Sequence, residues 1–87
     1  MDAETRLGFV GIVMENRAVA PQVNALISQY GDCVKARVGV PDHEGPAGVI
    51  GVIVEGGNAE IGALTAKLGN LPGVQVKSAL TKKERSI

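Results

Sequence analysis

Few residues in this chain are of a type that does chemistry. Arg17 closes the triplet Glu15-Asn16-Arg17, directly after the first long apolar run, and Arg37 interrupts a later one. A guanidinium at such a junction can hold a carboxylate or a phosphate through paired hydrogen bonds. Glu15, Asn16, Arg17 and Arg37 are therefore the candidate effector-binding residues. His43 is the single histidine and lies between Asp42 and Glu44. One imidazole with two loop carboxylates makes a poor metal site, so a solvated loop residue is expected there. Cys33 is the single cysteine, which excludes an intrachain disulfide and any CxxC metal site. It reads as a small buried apolar residue, because a redox sensor needs an exposed thiol of lowered pKa. Gly56-Gly57-Asn58 precedes a helical pattern. Helix starts can bind anions, but a turn followed by an Asn N-cap accounts for the same triplet. No nucleophile stands beside a base, and neither a P-loop nor a GxGxxG is present. No catalytic residue, metal or cofactor is expected, and the chain reads as non-enzymatic.

Composition narrows the classes further. Eighty-seven residues suffice for one core, so a single domain over 1–87 is expected, with its core at 6–80 and a flexible tail at 81–87. Nine basic residues balance nine acidic ones, and aromatics are 2% of the chain. That speaks against direct nucleic-acid binding, which needs a basic footprint and stacking rings. Lys82-Lys83-Glu84-Arg85 reads as part of a soluble tail. The start has no basic n-region leading into an apolar one, and the longest apolar runs, 7–14 and 47–54, are far short of the roughly 20 residues a membrane span needs. A cytoplasmic location without membrane contact is the expectation.

The elements that must position these residues come from a repeat. Residues 8–15, Gly-Phe-Val-Gly-Ile-Val-Met-Glu, match 48–55, Gly-Val-Ile-Gly-Val-Ile-Val-Glu, and Val34-Lys35-Ala36-Arg37 matches Val74-Gln75-Val76-Lys77 at the same offset. Between them lie two amphipathic patterns, Val23, Leu26, Ile27, Tyr30 and Ile61, Leu64, Leu68, Leu71. Each half is strand–helix–strand. The spans predicted are strands at 6–15, 33–41, 47–55 and 74–80 and helices at 18–30 and 59–71. Pro21 suits a first helical turn, Asn58 an N-cap with Glu60 behind it, and Gly31-Asp32 and Pro72-Gly73 the helix ends. Two interleaved units give an α+β, ferredoxin-like βαββαβ sandwich. Four antiparallel strands form its sheet, the first and third central, with two helices on one face.

Alternation then divides the side chains. Val10, Ile12, Met14, Ile50, Val52 and Val54 are expected to face the helices, as are Val34, Ala36, Val38 and Val40 of the second strand, with Lys35 and Arg37 opposite. The central strands stay apolar on the other face as well: Leu7, Phe9, Gly11, Val13, Val49, Gly51 and Ile53. Contiguous apolar faces of this kind mark contact sites, so a homo-oligomer is expected to cover it. Gly11 and Gly51 are expected to let a second backbone approach closely.

The motifs Arg37-Val38-Gly39-Val40-Pro41, Ile61-Gly62-Ala63-Leu64-Thr65-Ala66-Lys67-Leu68-Gly69 and Gly73-Val74-Gln75-Val76-Lys77, with Val23-Asn24-Ala25-Leu26, together resemble the small regulators of the iron-only hydrogenase system. The likeness runs from Arg6 to Leu80. It implies an ACT-like fold similar to the C-terminal domain of nickel-responsive regulators, assembly as dimers or tetramers, and regulation through a small effector or a protein partner. It does not imply hydrogenase activity. Ala20-Pro21-Gln22 lacks the glycine of the Pro-Gly turn in amino-acid-binding ACT domains. His43 and Cys33 fall short of the ligand set of the nickel-responsive proteins. Two other functions share this topology. An acylphosphatase needs a catalytic asparagine on the second strand, and 33–41 holds none. A nucleic-acid-associated transcriptional regulator needs aromatics on the central strands, where Phe9 is alone.

Overall fold

Among the described residues, thirteen apolar side chains, from Val10 on the first strand to Leu68 on the last helix, close into one core between a sheet and two helices. The computed structural model describes residues 4–40, 44–82 and 84–85. Its elements run β1 Glu4–Met14, a 3-10 turn Arg17–Val19, α1 Ala20–Gln29, β2 Val34–Gly39, β3 Gly48–Gly57, α2 Asn58–Gly69, β4 Val74–Leu80 and a two-residue β5 Glu84–Arg85. Strand order is β2-β3-β1-β4, with antiparallel pairing throughout, so β1 and β3 are central as the repeat requires. Val10, Ile12, Met14, Ile50, Val52 and Val54 are buried beneath Val23 and Ile27 of α1 and Ile61, Leu64 and Leu68 of α2, the residues the periodicities select.

Helix ends differ in detail from expectation. Pro21 does sit in the first turn of α1. The cap upstream is Asn16, whose side chain accepts from the Ala18 amide at 2.9 Å and starts the 3-10 turn. Asn58 is not a cap. Gly57 holds that position in extended conformation, no side chain caps the helix, and Asn58 is already its first residue. At the Pro72-Gly73 turn, Gly73 adopts φ 71°, a left-handed conformation open to glycine at little cost.

Beyond Leu80 the chain stays on the sheet instead of leaving it at 81. Leu7 and Thr81 exchange hydrogen bonds, with the Leu7 amide donating to Thr81 Oγ1 at 3.1 Å and the Thr81 amide to the Leu7 carbonyl at 2.9 Å. Glu84 and Arg85 then pair with Thr5 and Glu4.

The main departure is a β-bulge in β2. Val34 pairs with Val54, but the next partner of β3, Ile53, faces Ala36, so Lys35 is an extra residue. Such an insertion reverses the side-chain alternation beyond it. Ala36, Val38 and Val40, expected against the helices, therefore face away from them, while Arg37 turns to the helix side opposite Val52. Val38 and Val40 are each 64% exposed and join the open face.

Candidate functional site

The bulge decides which of the candidate residues meet. Arg17 leads out of β1 into the 3-10 turn, and its amide donates to the Pro46 carbonyl at 2.7 Å. Its aliphatic stem lies on Gly48: a Cβ there would come within 3.0 Å of Arg17 Cγ and 2.9 Å of Met14 Cε. Arg37, reversed by the bulge, reaches α1 and donates from Nη2 to Asn24 Oδ1 at 2.8 Å. Both arginines line one open hollow of about 420 Å³, whose floor is Met14, Ile50 and Gly48 and whose rim is Val40 and Val49. A guanidinium carries five donors, so the bond to Asn24 leaves Arg37 able to bind an anion as well. The hollow thus brings two arginine side chains beside an apolar floor, an arrangement suited to an anion with an apolar body.

Glu15 and Asn16 are not part of it. The Glu15 amide donates to the Gly73 carbonyl at 2.8 Å, and its Cβ and Cγ pack near Gly73, toward β4. Asn16 is occupied as a cap. Adjacency in sequence grouped the triplet, but a strand-to-helix turn sends consecutive side chains in different directions. Cys33 is buried, its amide donating to the Tyr30 carbonyl at 3.0 Å. Burial, then the nearby Glu60 carboxylate, push its thiol above the ordinary value. That suits the apolar reading and gives no thiolate for redox chemistry at neutral pH. His43 lies outside the described residues. Among the described residues, no cluster of three or more His, Cys, Asp or Glu could hold a metal ion.

The second surface is the open sheet face. Leu7, Phe9, Val13, Val49 and Ile53 are 38–50% exposed, and the valines of β2 extend the patch to the sheet edge. Gly11 and Gly51 pair directly at its centre. They do not leave a flat space for another backbone, because the Phe9 ring already lies over them. A Cβ on Gly51 would stand 2.5 Å from Phe9 Cζ and 3.4 Å from Val38 Cγ1, and one on Gly11 would stand 3.4 Å from Phe9 Cε2. Sequence reasoning missed Val38 and Val40. The run Val38-Gly39-Val40 showed the alternation, but a bulge at Lys35 has no signature in residue type. Gly39, Val40, Val49 and Ile50 line both the arginine hollow and a groove of about 180 Å³ on the open face, so the two surfaces meet at the β2–β3 corner.

Comparison with known proteins follows the same outline. The TM1266-like family model, described as "Iron-only hydrogenase system regulator, putative", matches residues 6–78. The solved structure of the uncharacterized protein TM1266 from Thermotoga maritima superposes with a TM-score of 0.83 at 36% identity, covering 91% of this chain and 100% of that one. The ACT domain of a GTP pyrophosphokinase from Chlorobium tepidum gives 0.70 at 20% identity over 91% of this chain and 100% of that one. The C-terminal domain of MgtC from Mycobacterium tuberculosis gives 0.69 at 16% identity over 91% and 89%. The last two show the fold alone, an ACT-like α+β sandwich. No curated protein matches the chain. Among the described residues, no helix is long and apolar enough to cross a membrane.

Proposed function

We propose, for a chain that belongs to the TM1266-like family, a regulatory and non-enzymatic function within the iron-only hydrogenase system. The chain acts as an ACT-like module that pairs with copies of itself through the open sheet face and takes a small anionic effector in the hollow between Arg17 and Arg37. The observation that carries this reading is the open face. Among the described residues, seven large apolar side chains stand 38–64% exposed on one side of the sheet, with neither α1 nor α2 over them. Together they present on the order of 600 Å² per copy, so pairing two faces reaches the low end of specific interfaces, about 1,200 Å² in total. Leu7, Phe9, Val13, Val38, Val40, Val49 and Ile53 form that interface, with Gly11 and Gly51 as the bed on which Phe9 rests. An effector at the β2–β3 corner, where the hollow and the face share four residues, shifts assembly by its differential affinity for the two states. A regulatory protein partner would read out that shift.

The test joins light scattering to thermal unfolding. The chain is expected to be dimeric or larger at micromolar concentration. A screen of organic phosphates and carboxylates is expected to yield at least one that raises the unfolding midpoint of the wild type but not of Arg37→Ala. A ligand at 100 times its dissociation constant adds about 2.7 kcal/mol, so the shift is measurable. A monomer with no anion-dependent shift refutes the proposal.

A further inference from the structure

Resting on the reading that the open face joins copies of this chain, we infer that two copies pack face to face about a two-fold axis lying over Phe9 and Val38, with Glu55 of each copy paired to Lys77 of the other. The register fixes this geometry. On the open side, Glu55 of β3 stands opposite Leu7 and Lys77 of β4 stands opposite Gly11, so the two charges flank β1 on opposite sides, four residues apart along it. Both are exposed. They are charges of opposite sign on a face whose central strands carry Leu7, Phe9, Val13, Val49 and Ile53, with the polar Gln75 opposite Val13 at its β4 margin.

A self-complementary two-fold interface must place each residue against its partner in both directions. With strands about 4.8 Å apart and about 3.4 Å per residue, the separation of the two charges is about 10 Å across and about 13 Å along the sheet. An in-plane axis that exchanges them crosses the midpoint of that line, which is the position of Phe9. Continued toward β2, the same axis runs over Val38. It therefore follows an apolar ridge already built in one copy, where Phe9 reaches across Gly51 toward Val38. The operation sets Ile53 near Gly11 of the other copy, against the Phe9 ring that lies over that glycine. Strands of the two sheets then cross at roughly 70°, nearer the orthogonal than the aligned class of sheet packing. Charge, symmetry and the apolar ridge select one arrangement among those the bare face would allow.

Charge reversal tests it. Glu55→Lys and Lys77→Glu, measured by sedimentation at low salt, are each expected to raise the dissociation constant of self-association about tenfold, since two ion pairs per dimer become repulsive contacts. The double variant restores both pairs with their signs exchanged and is expected to return within about threefold of wild type. A double variant as weak as the product of the single effects overturns this orientation and leaves assembly through the face standing. A wild type that stays monomeric at about 100 μM overturns the orientation and the assembly beneath it.

Discussion

Replacing Gly51 by alanine asks whether the Phe9 ring truly rests on the glycine pair. The new Cβ would meet Phe9 Cζ at 2.5 Å and Cε1 at 2.7 Å, closer than carbon atoms approach. The obstacle is the end of a side chain and not backbone, so the ring swings off and the strand stays in place. Phe9 is 42% exposed, so a little over half of its surface is covered. A phenylalanine buries on the order of 200 Å², so full displacement would uncover roughly 100 Å² and cost about 2.5 kcal/mol. Partial repacking of the ring toward Leu7 and Ile53 reduces the expected loss to about 1–2 kcal/mol. Urea unfolding at one fixed protein concentration measures it, since assembly adds to apparent stability. The decisive comparison is a double-mutant cycle with Phe9→Ala. Once the ring is gone, Gly51→Ala is expected to be neutral or to stabilise by up to about 1 kcal/mol, through the smaller conformational freedom of the unfolded chain. Equal losses in both backgrounds would show that the clash lies elsewhere and that the ring does not occupy the space above Gly51.

Two further outcomes follow from the core beneath α2. The Cys33 thiol is held above its ordinary value of 9.0, first by burial and then by Glu60. The folded state thus keeps the proton that the unfolded state loses. This contribution is complete below about pH 9 and fades as pH rises through the higher folded value. Cys33→Ala lacks it, so the stability difference between wild type and variant should narrow above pH 9 in denaturant titrations. A gap that stays constant to pH 11 would refute the assignment. Gly56→Ala would set a Cβ 2.9 Å from Glu60 Oε1 and 3.1 Å from Cys33 Cβ. The carboxylate can move but the buried cysteine cannot, so a loss of about 1–2 kcal/mol is expected in calorimetry, and an unchanged midpoint would contradict the packing.

The fold was legible because two independent signals agreed: the forty-residue repeat and the two amphipathic periods. Val10, Ile12 and Met14 against Leu64 and Leu68 needed nothing more. The open face was legible for the same reason, since central strands that are apolar in both parities can hide one parity only. The candidate site was legible in part. Arg17 and Arg37 were recognisable as cations beside apolar runs, but that they share a hollow depends on the extra residue at Lys35, which changes the direction of Arg37 without changing its type. Glu15 and Asn16 were grouped with Arg17 because sequence distance stood in for spatial distance, and at a strand end the two diverge. Asn58 failed as a cap because the preceding Gly57 is extended without strain and takes the position instead.

The supernumerary Lys35 also breaks the equivalence of the two halves. Arg37 and Lys77 occupy matching places in the repeat, yet one points to the helical layer and the other to the bare side. The two margins of the sheet consequently differ in kind: oily valines along β2, wetted Gln75 and Lys77 along β4. A duplicated plan has become polar in the geometric sense, with a left that is not its right. A molecule of this sort can tell one neighbour's flank from the other, which a perfectly repeated one could not.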